Sequence, residues 1–313
     1  MTHAQLTPLI TGFLETRRCL GFGVRTQERM LRSYVEWATR DGAGQITAQG
    51  AVEWACSSSA APNGQAARLG VVRRFLTYVS AYDAEVAIPS RGLLVGTRRR
   101  RPFLFSAIQL GSLMERASAL GPEGSLRPHT ISTLFGLLAS TGLRPSEALK
   151  LTVADVRLDG APQLNVRDTK FHKSRLVPIH STTAARLSAY AEGRGRLRYD
   201  RFTDAFFVSE QHRPVHYMAV YRTFQRLLDE LGIRAQATER APSLNSFRHG
   251  FAVDRLCSWA REGADVQTWM PHLAVYMGHV DLTDTYWYFT ATPALLETAS
   301  EAFGSYFQPG GAQ

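Results

Sequence analysis

The chain has 313 residues, a hydrophobic content of 44% and a formal net charge of +9 at pH 7. This length is enough for two domains with buried cores, and the hydrophobic content excludes an intrinsically disordered chain. The positive charge favours a polyanionic partner. Because the sequence shows neither a run of eighteen apolar residues nor a secretory signal, we predict a cytosolic protein.

Three cysteines, Cys19, Cys56 and Cys257, are widely spaced and flanked by apolar residues. Their odd number argues against a disulfide framework, and their spacing does not fit a zinc site. We therefore predict three buried thiols. No other cluster of residues suggests a bound metal or cofactor, and we expect none.

Residues 1–95 are predicted to form a domain of four helices, since apolar residues recur at helical spacing in each of them. Thr26 and Thr47 are candidate N-caps. The fourth helix is predicted to begin near Asn63. It also carries three arginines that form either a solvated face or a phosphate-contacting face: Arg68, Arg73 and Arg74.

Residues 96–104 are predicted to be a basic linker, because Pro and Gly interrupt the sequence there and no hydrophobic periodicity crosses it. The linker contains four consecutive arginines, Arg98, Arg99, Arg100 and Arg101. Such a run is often only solvated. Between two domains of a basic chain, we favour contacts with phosphate groups.

Residues 105–313 combine helical patterns with short strands. Helices are predicted from Ser106, as N-cap, to residue 120, over 127–139, from Ser181, over 215–231, from about Ser243 and over 293–303. Two strands, about 163–167 and 175–179, flank a turn, and a further short strand is predicted over 205–208. The predicted fold is therefore mainly α with a small antiparallel β-sheet.

The segment from Ser140 to Leu151 carries the first candidate site. Gly142 interrupts an apolar helical run, and Pro145 suits the first position of a new helix. Arg144 precedes that start, and Glu147 in the first turn can reach back to orient it. An arginine fixed in this way can bind a phosphate or carboxylate with both arms of its guanidinium.

The sequence Thr141-Gly142-Leu143-Arg144-Pro145-Ser146-Glu147 resembles the first arginine box of the tyrosine recombinase (phage integrase) family. Three more segments match that family in the same order: 169–178 resembles its hairpin lysine segment, 245–249 its His-x-x-Arg-His box, and 277–279 its Leu-Gly-His box. Tyr288 follows His279 by nine residues, which is the spacing of the family's nucleophile. The resemblance covers 105–305 strongly and 1–95 loosely, and 284–293 is similar to a subgroup from bacterial mobile elements.

The resemblance implies an N-terminal core-binding (SAM-like) DNA-binding domain, 1–95, and a catalytic domain, 105–313. It implies a site-specific recombinase or integrase of the bacterial nucleoid that cuts and rejoins DNA through a covalent 3′-phosphotyrosine. Arg144 and Arg248 would neutralise the phosphate, and His279 would hydrogen-bond to it. Tyr288 would be the nucleophile, with Glu147 and His249 positioning neighbouring groups.

The leaving 5′-oxygen needs a proton, which lysine can supply and arginine cannot. Of the 36 basic residues only three are lysines: Lys150, Lys170 and Lys173. Lys170 matches the family's catalytic position, and Lys173 is the alternative. Tyr286 lies about 200° away from Tyr288 on a helix, so only one of the two can face the phosphate, and we predict Tyr286 in the core or in an interface.

Asn245 departs from the family, which usually has histidine there. Asn can donate a hydrogen bond to a phosphate oxygen but cannot take up a proton and become charged. A DNA-binding accessory protein that has lost strand cleavage is therefore one alternative, and a type IB topoisomerase-like enzyme is another.

The resemblance implies double-stranded DNA as partner and four protomers at synapsis, with other recombinases of the same element as further candidates. The predicted C-terminal helix would pack on a neighbour through Leu295, Leu296 and Ala299.

Overall fold

A computed structural model describes residues 3–40, 46–96, 100–167, 173–199, 202–279, 281 and 283–291. The chain divides into two compact units, Met1–Arg99 and Arg100–Gln313. The division lies inside the predicted linker. None of the described helices is long and apolar enough to cross a membrane.

Unit one contains four helices in its described part: α1 His3–Cys19, α2 Arg25–Ala38, α3 Ala48–Cys56 and α4 Pro62–Val79. Each turns an apolar stripe towards one core, in which the rings of Tyr34 and Trp54 meet edge to face with centroids 5.4 Å apart. The assignment of this unit as a core-binding domain stays a prediction.

Two predictions for unit one are corrected by the structure. Thr47 caps α3 by accepting a hydrogen bond from the backbone N–H of Gly50, but Thr26 lies inside α2, whose N-cap is Val24. Cys19 and Cys56 are exposed, and only Cys257, in unit two, is buried. Cys19 ends α1 away from that helix's buried stripe, and Cys56 ends α3, so neither faces the core.

The helices of unit two, in the part of the chain that is described, are α5 Ala107–Ser118, α6 Arg127–Thr141, α7 Pro145–Leu149, α8 Ser181–Arg196, α9 Tyr217–Glu230, α10 Asn245–Arg261, α11 Val266–Met277 and α12 Thr283–Ala291. α6 packs against α5, α8 and α10 and is buried around most of its circumference. This central position fixes the Gly142–Arg144 turn at its end against α10.

Three short strands form an antiparallel sheet in the order β1 Val156–Arg157, β2 Gln163–Val166 and β3 Arg175–Pro178. Leu164 pairs with Val177, and both are buried. The predicted fold class, mainly α with a small antiparallel sheet, is confirmed.

The predicted strand over 205–208 is wrong. This segment makes only isolated bridges, from Ala205 to Thr152 and from Val208 to Pro214. Phe206 and Phe207 are both buried, so the segment crosses the core and does not present alternate residues to two different faces. Pro214, the partner of Val208, has no N–H with which to extend the pairing into a strand ladder. The predicted helix over 293–303, with Leu295, Leu296 and Ala299, lies outside the described residues.

Candidate active site

The turn between α6 and α7 fixes Arg144. Gly142 has a left-handed φ of +61°, and a Cβ at this position would lie 2.5 Å from the ring of Phe251, so glycine is required on both counts. The backbone N–H of Arg144 donates to Oε2 of Glu147 at 3.1 Å, and Nη1 of Arg144 lies 2.7 Å from Oε1 of Glu147. Glu147 therefore orients Arg144 as the sequence predicted.

A second arginine, Arg175 at the start of β3, binds the same carboxylate. Its Nη2 lies 2.8 Å from Oε2 of Glu147. Burial alone would raise the pKa of Glu147, but the hydrogen bonds and charges of Arg175 and Arg144 outweigh it and lower that pKa below its ordinary value. Glu147 is thus held ionised between two guanidinium groups.

Arg248 in α10 is buried, with 4% of its surface exposed. Its Nη1 donates to the carbonyl of Gly142 at 2.6 Å and its Nη2 to the carbonyl of Met277 at 2.8 Å. Burial, and then repulsion from Arg144, lower the pKa of Arg248 to about 10. The side chain therefore keeps its charge at neutral pH and joins the α6–α7 turn to the end of α11.

Three consecutive carbonyls at the C-terminal end of α11 each accept a hydrogen bond from a different arginine. Arg175 Nε donates to Tyr276 at 2.8 Å, Arg248 to Met277, and Arg144 Nη2 to Gly278 at 3.0 Å. The last carbonyls of a helix lack partners within the helix and carry partial negative charge, so cations bind there well. This helix end holds the three guanidinium groups at one place.

His279 follows directly after this helix end. Its Nδ1 lies 2.6 Å from the hydroxyl oxygen of Thr285, which is fully buried in α12. Burial, and then the charges of Arg248, Arg144 and Arg175, lower the pKa of His279 to about 3. His279 is therefore neutral at physiological pH and can hydrogen-bond to an anion without adding charge.

Tyr288 lies on the inner side of α12, with 2% of its surface exposed, whereas Tyr286 is 44% exposed. The Tyr288 hydroxyl lies 3.1 Å from Nδ1 of His249, and the Tyr288 ring stacks on the imidazole of His279 with centroids 6.4 Å apart. The exposure of Tyr286 corrects its predicted place in the core, and its place in an interface stays a prediction.

A family model for the phage integrase family matches residues 107–294 of this chain. The chain belongs to the phage integrase family, the tyrosine recombinases. An integrase/recombinase designated y4rB from Sinorhizobium fredii is 37% identical over 293 residues, which cover 92% of this chain and 93% of that protein. The tyrosine recombinase XerD of Brucella abortus is 27% identical over 240 residues, covering 72% of this chain and 71% of that protein.

Two solved tyrosine recombinase structures have the same fold. The Tn1549 transposon integrase in complex with transposon right end DNA covers 97% of this chain and 99% of its own, with a TM-score of 0.70 and 15% identity. The XerH site-specific recombinase bound to a palindromic difH substrate covers 90% of this chain and 80% of its own, with a TM-score of 0.68 and 15% identity.

The structure also shows where the remaining predicted residues of this tyrosine recombinase lie. Asn245 is the first residue of α10 and is exposed, one turn before His249. Lys173 is exposed at the start of the segment leading into β3. Lys170 lies outside the described residues. Among those that are described, no group of three or more His, Cys, Asp or Glu side chains is placed to hold a metal ion.

The predicted phosphate-contacting arginines differ in their surroundings. Arg68 stacks on the ring of Trp54, with its guanidinium carbon 3.9 Å from the ring centroid, and donates to the Trp54 carbonyl at 3.1 Å, which favours a structural role. Arg73 is half-buried and Arg74 is exposed on α4. Arg100 and Arg101 are exposed, whereas Arg98 and Arg99 lie outside the described residues.

Arg175 and Thr285 belong to the site although no catalytic or positioning role was predicted for them. Arg175 was visible only as part of the hairpin lysine segment, and its partners Glu147 and Tyr276 are 28 and 101 residues away along the chain. No feature of the sequence indicated a role for Thr285, apart from its position between His279 and Tyr288.

Proposed function

We propose that this tyrosine recombinase is a site-specific DNA strand transferase that cuts and rejoins DNA through a covalent 3′-phosphotyrosine at Tyr288. The observation that carries the proposal is the convergence of four side chains around the C-terminal end of α11: Arg144, Arg248, His279 and, stacked on the His279 ring, Tyr288. The spacing in sequence agrees with this geometry, because Tyr288, and not Tyr286, turns inward.

The electrostatics of the site suit a phosphodiester. The three arginines and Glu147 leave a surplus of two positive charges, since His279 is neutral. The described contacts of Arg144 use two of its five N–H donors, and so do those of Arg248. Donors therefore remain for the non-bridging oxygens, on which negative charge accumulates as the phosphorus is attacked.

The proposed reaction is a transesterification. The Tyr288 oxygen attacks phosphorus, a new P–O bond forms and the bond from phosphorus to the 5′-oxygen breaks. Lys170, or in its place Lys173, would protonate the leaving 5′-oxygen. Rejoining reverses these steps, with a 5′-hydroxyl as the attacking group.

Double-stranded DNA is the proposed partner. The solved XerH and Tn1549 integrase structures contain DNA, and the net charge of +9 of this chain agrees with such a partner. Binding of DNA by both domains and assembly of four protomers at synapsis are part of the proposal.

The test uses a nicked duplex that carries the end sequence of the element encoding this protein, so that the cleaved fragment diffuses away and the adduct accumulates. Wild type should give a covalent protein–DNA band on a denaturing gel, and Tyr288→Phe should bind the duplex but give none. Tyr286→Phe is the matched control and should keep the band. Loss of the band in Tyr286→Phe alone would show that the nucleophile is Tyr286 and contradict the proposal.

A second candidate function is a DNA-binding accessory protein without cleavage, and Asn245 is the observation that favours it. In that case wild type would bind the duplex specifically but give no covalent band, and Asn245→His could restore one. The same gel therefore separates the two functions.

A further inference from the structure

The proposed function requires a group that takes the proton of Tyr288. An unperturbed tyrosine hydroxyl has a pKa of about 10 and is protonated at neutral pH, so attack on phosphorus needs a proton acceptor within hydrogen-bond reach. Asn245, at the position where histidine is usual in the family, cannot act in this way, because its amide does not take up a proton.

Two other titratable groups near the arginines are poor acceptors. The Nδ1 of His279 is engaged with the Thr285 hydroxyl, and three neighbouring guanidinium groups oppose a further positive charge on this ring. Glu147 is bound by Arg144 and Arg175, which hold it as a weakly basic carboxylate. Both groups are therefore committed to other partners.

His249 is placed for this role. It lies four residues after Asn245 in α10, so the two residues share a face of that helix. Its Nδ1 is 3.1 Å from the Tyr288 hydroxyl oxygen, which is within hydrogen-bond distance. The indole of Trp287 packs edge-on against the imidazole, with centroids 5.8 Å apart, and limits the orientations of the ring.

We propose that His249 is the catalytic base that accepts the proton of Tyr288, one helical turn from Asn245. As the Tyr288 oxygen forms its bond to phosphorus, its proton moves to Nδ1 of His249. The bond from phosphorus to the 5′-oxygen breaks, and that oxygen takes a proton from the lysine that acts as general acid in the proposed reaction. During rejoining, the 5′-hydroxyl attacks the phosphotyrosine and returns its proton to that lysine, and the departing Tyr288 oxygen recovers its own proton from His249. The inference rests on the proposed function.

The experiment measures the single-turnover rate of covalent adduct formation on the nicked duplex, with protein in excess. His249→Gln and His249→Ala should both slow the reaction by about 10²- to 10⁴-fold, the usual contribution of a general base. Their affinity for the uncleaved duplex in a gel-shift assay and their thermal unfolding should match those of wild type. His272→Ala, which replaces an exposed histidine of α11, is the matched control and should react at the wild-type rate.

Added imidazoles separate a base from a positioning group. With His249→Ala, substituted imidazoles should restore the reaction with rates that rise with their basicity, because the proton transfer occurs in the rate-determining step. A recovery that does not depend on basicity would show that the ring only fills space, and would overturn the proposal.

Three further outcomes would contradict the role of His249. If His249→Gln forms the adduct at a rate within threefold of wild type, a hydrogen bond from residue 249 to the Tyr288 hydroxyl is sufficient and no base is needed there. If His249→Ala reacts faster than wild type, the contact between His249 and the Tyr288 hydroxyl restrains Tyr288 instead of activating it. Both outcomes leave the proposed function intact, because the adduct still forms. If wild type gives no adduct, the proposed function and the role of His249 fall together.

Discussion

Arg248 shows how one side chain combines structure and chemistry. It is buried, its two described hydrogen bonds join carbonyls 135 residues apart in the chain, Gly142 and Met277, and it still keeps its charge at neutral pH. Burying the charge costs desolvation free energy. The hydrogen bonds to these carbonyls and the partial negative charge of the nearby helix end offset that cost.

Arg248→Lys tests this double role. Lysine keeps the charge, but its single ammonium group cannot reproduce the fork that spans both carbonyls. We expect adduct formation to fall by about 10²-fold or more and the free energy of unfolding to fall by about 1–3 kcal/mol for each carbonyl left without a donor. Adduct kinetics and urea unfolding measure the two effects. Unchanged values in both would contradict the bridging role.

His279 makes a prediction about pH. Its pKa in the folded protein is about 3, below the ordinary value of about 6.5. Between these values the unfolded chain binds a proton that the folded protein does not, so acidification favours unfolding. We expect the free energy of unfolding to fall from pH 7 towards pH 5, and to fall less steeply in His279→Gln. Urea unfolding at several pH values measures this, and parallel curves would contradict a neutral, buried His279.

The end of α11 is the element on which the site is built, since it binds Arg144, Arg175 and Arg248 through successive carbonyls. Gly278 allows this arrangement. It has a φ of +71°, and a Cβ there would lie 2.7 Å from Nη1 of Arg175. Glycine thus ends the helix and leaves room for the guanidinium.

Gly278→Ala should destabilise the protein by more than the backbone effect alone. Gly263 has a φ of +72°, but a Cβ added there would meet no atom within 4 Å, so Gly263→Ala measures the cost of the left-handed backbone, about 1–2 kcal/mol. Gly278→Ala should exceed that cost and also slow adduct formation, because Arg175 must move. Equal unfolding energies for the two variants would contradict the close packing of Arg175.

Local patterns in the sequence predicted the elements well where one residue type decided the geometry. Gly142 ends α6 in the left-handed conformation, and Ser106 caps α5. Local patterns could not predict that Arg175 binds Glu147, because that contact depends on how β3 packs against α7. The segment over 205–208 failed for a similar reason, since a buried apolar run has no periodicity that separates strand from core-crossing loop.

For the whole molecule, we expect the net charge of +9 and the arginine run at 98–101 to strengthen the binding of DNA. Phosphate contacts release counterions, so they determine how steeply affinity falls with salt and carry no sequence information. The run joins the two units, and its described members Arg100 and Arg101 are exposed.

Arg100→Ala/Arg101→Ala should weaken binding to specific and random duplexes alike. The slope of log affinity against log salt should flatten by up to about 0.9 for each phosphate group that the variant no longer binds. Arg116→Ala/Arg226→Ala removes the same charge from two arginines that already pair with Glu230, and should change the slope little. Equal slopes for the two double variants would show that the arginine run is a solvated linker that does not bind phosphate groups.

In the proposed reaction, Tyr288 becomes covalently joined to the 3′-phosphate of cut DNA. The most direct measurement is peptide mass spectrometry of the trapped adduct after nuclease and protease digestion, together with labelling of the released strand end. We expect a nucleotide linked to Tyr288 through a 3′-phosphate, and a free 5′-hydroxyl on the released strand. A link at Tyr286, a 5′-phosphate linkage, or cleavage without a covalent adduct would contradict it.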